Sequence, residues 1–185
     1  MKKELRKRFI NERNNLDMQY REYASKKIIE TVEKLESYKK ANKIFVYVNF
    51  GSEIETIRFI ESSLRQGKEV YVPKIVLKNM ELVKITKTSE LKPGHFGVLE
   101  PEGSDFYEGE VDLVITPSVA FAIDGYRIGY GKGYYDKYFS KNKYKTSVGL
   151  SYEKLLQESV PHFDYDVAVD MMVTEERILV THAER

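Results

Sequence analysis

The sequence predicts an α/β fold with a mainly parallel, partly mixed sheet. Short β-branched and aromatic runs alternate with segments whose apolar residues recur at helical spacing. A glycine-rich bend then joins one such run to the start of a helix. At 185 residues the chain is sized for one domain, spanning 1–185, and no linker, repeat or low-complexity tract divides it.

The elements follow in order. Residues 2–9 are strong helix formers with Leu5 and Phe9 four apart. Asp17 is placed to cap a second helix, whose apolar face reads Tyr20, Tyr23 or Ala24, Ile28, Val32 and Leu35. Ile44 to Val48 is a buried strand. Ser52-Glu53-Ile54-Glu55 fits a capping box, ahead of a stripe of Ile57, Ile60 and Leu64. Val70 to Val72 is a strand ending at Pro73. Met80 to Ile85 alternates like a half-buried strand, antiparallel or at an edge. Residues 87–110 are rich in Pro, Gly and acids and read as a long loop. Val111 to Thr116, Thr146 to Leu150 and Val169 to Thr174 complete the strands.

Composition narrows the function classes. Lys and Arg total 30 and Asp and Glu 29, a net charge of +1 that opposes a nucleic-acid coat or a membrane-surface binder. The chain has no cysteine, which excludes disulfides, thiolate metal sites and thiol nucleophiles. His95, His162 and His182 lack metal-ligand spacing. No apolar run approaches the roughly 20 residues a spanning helix needs, and the charged start is no signal peptide, so the expectation is a cytoplasmic protein. The first 40 residues nevertheless carry 12 basic against 7 acidic side chains, concentrated in Lys2, Lys3, Arg6, Lys7 and Arg8. This stretch reads as a solvated helix or as an arm carrying cations to an anionic ligand.

The most informative segment runs from Thr116 to Asp136. Gly129, Gly131 and Gly133 remove every other side chain from a bend that precedes a helix, so backbone N–H groups can converge on an anion. Lys132 adds an ammonium within the bend. The spacing matches neither a Walker loop nor the dinucleotide fingerprint; by itself it fits a tight strand-to-helix turn as well as a phosphate cradle.

The run Arg127-Ile128-Gly129-Tyr130-Gly131-Lys132-Gly133-Tyr134-Tyr135-Asp136, preceded by Pro117 to Phe121 and Asp124-Gly125, resembles the signature of the 5-formyltetrahydrofolate cyclo-ligase family. Lys2 to Arg6, Gly51 to Thr56, Val72-Pro73-Lys74, Gly97 to Pro101 and Asp166 to Asp170 are similar to further family segments in the expected order. Ser118 stands where the family often has glycine, and Ile128 where it usually has leucine.

This resemblance implies a three-layer α/β/α, Rossmann-like fold, shared with sugar-phosphate isomerases and CoA-transferases. It also implies ATP- and Mg²⁺-dependent closure of 5-formyltetrahydrofolate to 5,10-methenyltetrahydrofolate through a phosphorylated formyl group. It assigns ATP contacts to Lys2, Lys3, Arg6, Arg127, Gly129, Tyr130, Gly131, Lys132, Gly133, Tyr134 and Tyr135, with Lys132 and Arg127 as catalytic cations. Val48, Glu53, Tyr130, Lys132 and Tyr134 are assigned to folate, and Asp136 and Asp170 to magnesium. The implied partners are ATP and the folate alone, with neither nucleic acid nor membrane, and the chain is expected to be a monomer. An isomerase or CoA-transferase is the alternative by fold analogy. A non-catalytic RNA-binding module is the third reading, resting on the basic start and 14 tyrosines.

Overall fold

The computed structural model describes residues 1–181. The chain opens with α1 (Lys2–Asn14), α2 (Met18–Lys34) and α3 (Glu36–Lys40). Asp17 caps α2, its carboxylate accepting from the Gln19 amide at 2.7 Å. The α2 stripe resolves to Ala24, Ile28 and Val32, all buried, while Tyr23 is exposed.

Next come β1 (Lys43–Val46), α4 (Ile57–Arg65), β2 (Glu69–Val76) and β3 (Asn79–Ile85). Two expectations need correction here. Ser52 does not cap α4, which begins after Thr56. The Thr56 hydroxyl is instead tied to the strand end, donating to the Tyr47 carbonyl at 2.7 Å. Glu53 closes an earlier turn by accepting from the Phe50 amide at 2.8 Å. Nor does β2 stop at Pro73. The last β1–β2 pair is Phe45–Tyr71, so from Pro73 onward β2 is paired only with β3, where a proline is tolerated.

Residues 87–110 are more ordered than a loop. They form a hairpin of β4 (Leu91–Pro93) and β5 (Leu99–Pro101), and β6 (Phe106–Tyr107) adds to β3. The chain continues through β7 (Val111–Thr116), a short hairpin of β8 (Ala120–Phe121) and β9 (Arg127–Ile128), α5 (Tyr134–Lys141), β10 (Tyr144–Leu150), β11 (Met171–Val173) and β12 (Ile178–Val180). β12 is absent from the sequence reading. It is a three-residue edge strand, reached by a tight turn in which the Thr174 amide donates to the Arg177 carbonyl at 2.9 Å.

The main sheet has the order β12-β11-β10-β7-β1-β2-β3-β6. Its five central strands are parallel, and β3 and β12 are antiparallel to their neighbours. Side chains alternate across it. Ile44 and Val46 of β1 pack with Ile28, Val32, Tyr38, Phe59 and Ile60 of α2, α3 and α4. Phe45, between them, faces Tyr138 and Phe139 of α5 on the other side. This is the three-layer α/β/α arrangement that the resemblance implies, on the mainly parallel, partly mixed sheet that the pattern of elements predicts. No helix among the described residues is long and apolar enough to cross a membrane.

Candidate functional site

The sheet topology sets the location. β1 leads toward β2 while β7 leads toward β10, so the chain departs in opposite directions from two adjacent strands, Val46 pairing with Ile115 at their ends. Open α/β sheets bind ligands in the crevice beyond the carboxyl ends of strands at such a switch point. Tyr47, Glu53, Pro117, Ser118, Ser151 and Tyr152 surround a small cleft here, with about 20 Å³ of free space.

Arg13, which the sequence reading did not single out, ties this cleft together. Its Nε donates to Ser52 Oγ at 2.9 Å, Nη1 to the Ser118 carbonyl at 3.0 Å and Nη2 to the Tyr130 hydroxyl at 2.8 Å. One buried guanidinium thus joins the turns after β1 and β7 to the glycine bend. Its planar fork of donors suits such a junction better than a lysine would. The signal was available: Lys2, Arg6, Phe9 and Arg13 recur at helical spacing on one face of α1. Phe9 packs into an apolar cluster with Val119, Ala120 and Ile128, which fixes that face toward the site.

Glu53 lies next to Arg13. Its Oε1 accepts from the Tyr130 hydroxyl at 2.6 Å, while Oε2 takes the Phe50 amide. Burial raises the Glu53 carboxyl above its ordinary value of 4.5, against the opposing pull of the Tyr130 and Phe50 hydrogen bonds and the Arg13 charge. The Tyr130 hydroxyl is pushed upward by burial and by the Glu53 charge, so it stays a donor at neutral pH. Tyr47 and Tyr152 back the cleft, donating to the Ile54 carbonyl at 2.8 Å and the Ser52 carbonyl at 2.9 Å. Val48 is buried in the adjoining core.

A raised Glu53 gives a pH prediction. If the ionised carboxylate accepts from a ligand, kcat/KM falls as Glu53 gains its proton, so the acid limb lies above 4.5. Stability moves the other way: the folded state holds this proton more tightly, so the protein gains stability as pH falls through the raised value. A pH–rate profile of wild type and Glu53→Gln checks this. A limb at the ordinary carboxylate value, or one that persists in Glu53→Gln, contradicts it.

The glycine bend rises from β9. Gly131 and Gly133 take φ of +99° and +67°, conformations that disfavour any side chain. A Cβ on Gly131 would also meet the Arg6 guanidinium at 3.3 Å. Gly129 is not among the glycines at positive φ, and its carbonyl accepts from Arg6 Nε at 2.6 Å. Residues 130–133 are exposed, and Lys132 makes no hydrogen bond or ion pair among the described residues. Gly133 is the N-cap of α5, so the bend's bare amides meet the positive end of that helix.

Other assigned residues lie under or beside the bend. Arg127 is buried, donating to Asp136 Oδ1 and to the Val167 carbonyl, both at 2.7 Å. Its guanidinium is therefore spent beneath the loop rather than presented on top of it. Tyr135 stacks on Phe45 with ring centres 5.7 Å apart, while Tyr134 is half-buried. Lys2 pairs with Asp166 at 2.7 Å and lies over the Phe163 ring. Lys3 points to solvent.

The two aspartates assigned to magnesium each hold groups of the protein itself. Asp136 Oδ1 holds Arg127 and the Val167 amide. Asp170 Oδ2 accepts from the Ser147 amide at 2.8 Å and hydroxyl at 3.1 Å, anchoring the start of β11 to β10. Among the described residues no group of three or more His, Asp or Glu side chains is placed to hold a metal ion. One oxygen of each aspartate, Oδ1 of Asp136 and Oδ2 of Asp170, is thus engaged within the protein. His95 lies 3.6 Å from Glu100 and His162 stacks on Tyr126; His182 is outside the described residues.

Fold and cleft define an α/β protein whose candidate ligand site is assembled at the switch point from a basic helix, a glycine bend and the turns after β1 and β7. The model of the 5-formyltetrahydrofolate cyclo-ligase family matches residues 1–175. A cyclo-ligase from Escherichia coli K12 is 31% identical over 147 residues, covering 75% of this chain and 80% of its own. A probable cyclo-ligase from Schizosaccharomyces pombe is 30% identical, with coverages of 82% and 84%. The solved 5,10-methenyltetrahydrofolate synthetase of Aquifex aeolicus superposes with a TM-score of 0.87 at 32% identity, over 100% of this chain and 94% of that one. The chain belongs to the 5-formyltetrahydrofolate cyclo-ligase family, and with it to the ligase class of enzymes.

Proposed function

We propose that the chain uses ATP to convert 5-formyltetrahydrofolate to 5,10-methenyltetrahydrofolate, releasing ADP and phosphate. The observation that carries this reading is the juxtaposition of the exposed bend at 130–133, with Lys132 unpartnered among the described residues, and the Glu53–Tyr130–Arg13 cluster. A phosphate-binding surface and a polar cleft for a second substrate share one residue, Tyr130.

A formamide carbon is a poor electrophile because its oxygen leaves badly. Transfer of the γ-phosphoryl group breaks the bond to the β-phosphate oxygen and forms one to the formyl oxygen. The anilinic nitrogen of the same folate then attacks the formyl carbon, its proton passes to phosphate or solvent, and the C–O bond breaks to release phosphate. This chemistry asks for positioning and charge neutralisation rather than a protein nucleophile.

The amides of 131–133 and Lys132 would hold the transferring group. Arg6 braces the bend through the Gly129 carbonyl, and Arg127 with Asp136 supports it from below, as positioning residues. Glu53 would accept from the pterin, and the Tyr130 hydroxyl would fix the carboxylate's orientation. Magnesium enters as part of the nucleotide substrate, shielding phosphate charge; ligands of this ion are commonly phosphates and water with few carboxylates.

The test is the absorbance of the methenyl product from 5-formyltetrahydrofolate with and without ATP. Product that forms only with ATP supports the reading. Turnover indifferent to nucleotide, or turnover of sugar phosphates alone, overturns it.

A further inference from the structure

A groove of about 670 Å³ runs between α2 and α4, in the helical layer that covers Ile44 and Val46 of β1. The two helices run parallel. At one end the Glu55 amide, just ahead of α4, donates to Ser25 Oγ at 3.1 Å. At the other, Tyr38, just beyond α2, shares a hydrogen bond of 3.1 Å with Ser63 near the end of α4. From the shared start, a rise of about 1.5 Å per residue brings Lys26 to the height of Glu55, Glu30 to that of Arg58 and Glu33 to that of Arg65, each within about 3 Å. At every height the groove therefore holds apart two opposite charges. Lys26, Glu30, Glu33 and Arg65 make no ion pair among the described residues, and Arg58 reaches Glu55 only at 3.9 Å. Tyr23 and Ile29 add apolar surface to the α2 wall, and Tyr23 is 61% exposed. Exposed aromatic side chains of this kind are enriched where proteins meet.

We propose that this face joins two copies of the chain into a two-fold dimer, α2 of each copy packing on α4 of the other. A two-fold axis laid along the groove exchanges the walls and leaves every height unchanged. Lys26 then meets Glu55 of the partner subunit, Glu30 meets the partner's Arg58, and Glu33 meets the partner's Arg65, each pairing occurring twice. A partner of one charge sign would match one wall and be repelled by the other, whereas a second copy matches both. The inference does not depend on the proposed function, and it departs from the monomer that the resemblance implies. Exposed ion pairs contribute modestly, so the dimer forms reversibly and weakens with salt.

The experiment is sedimentation velocity of the full chain at low salt, from about 1 to about 100 μM. The dimer fraction of wild type is expected to grow across this range and to fall in about 0.5 M salt. Two charge-reversed variants then test the pairing itself. Glu30→Arg/Glu33→Arg sets base against base, and Arg58→Glu/Arg65→Glu sets acid against acid, so each alone is expected to stay monomeric. Mixed in equal amounts they should form a dimer again, because each wall of one variant now opposes its complement on the other. Thermal melts beside wild type show that both variants are folded, and dimer recovered in the mixture could not come from misfolded chains. A wild type that stays monomeric throughout overturns the proposal and leaves the groove to a different partner. A dimer that survives either reversal, or folded variants whose mixture stays monomeric, overturns it as well.

Discussion

Lys132→Ala is expected to lower kcat for ATP-dependent folate cyclisation by about two to three orders of magnitude, the usual effect of removing one donor that faces developing transition-state charge. Folding should be untouched. Lys132 is exposed on the bend and makes no hydrogen bond or ion pair among the described residues, so its loss leaves no orphaned group behind. Circular dichroism and a thermal melt matching wild type, together with collapsed turnover, are the expected pair of results. A variant that retains more than about a third of wild-type kcat would remove Lys132 from the chemistry and leave the bend as a merely tight turn.

Asp136→Ala is expected to act in the opposite manner, on stability first. It strips the carboxylate from a buried Arg127 that keeps the Val167 carbonyl and the face of the Phe139 ring but no hydrogen-bonded counter-charge. An uncompensated buried charge costs about 3–5 kcal/mol. For a chain of this length that lowers Tm by about 10 °C. Arg127→Met/Asp136→Leu, which removes both charges, should recover most of the loss. A magnesium ligand would behave differently: activity would vanish at unchanged Tm, and the double variant would recover nothing in either measurement. Urea unfolding of the two variants beside wild type, with turnover of the same samples, distinguishes the accounts.

Much of the fold was legible because the signals were local. The β-branched runs at 44–46 and 111–116 lie in the middle of the sheet, where both faces are buried and periodicity is strong. The N-cap at Asp17 and the glycine N-cap of α5 are chemistry of one or two residues. What escaped were elements that exist only through pairing with something distant. The strands at 91–93 and 99–101, and the edge strand at 178–180, are three residues each and too short for a period to register. Pro73 ends a strand by propensity, yet the β3 partner carries β2 on to Val76.

The site divides along the same line. The glycine bend, Glu53 and Tyr130 announce themselves by residue type and resemblance. Helical spacing puts Arg13 on the face of Lys2 and Arg6, but its role as a junction shows only once Ser52, Ser118 and Tyr130, which lie 39, 105 and 117 residues from it, converge on it. Arg127 and Asp136 illustrate the reverse case. Side chains that suggest a phosphate clamp and a metal ligand are bonded to each other beneath the loop, because α5 starts six residues after β9 ends and folds Asp136 back over Arg127.

The bend at 129–133 is proposed as the seat of the nucleotide's phosphates. Backbone amide resonances during titration with Mg·ADP test this directly. The largest shifts are expected at Gly131, Lys132 and Gly133, with Arg6 following, and they should disappear when adenosine replaces the diphosphate. Nucleotide that binds while these amides stay still, and shifts others across the sheet, would contradict it.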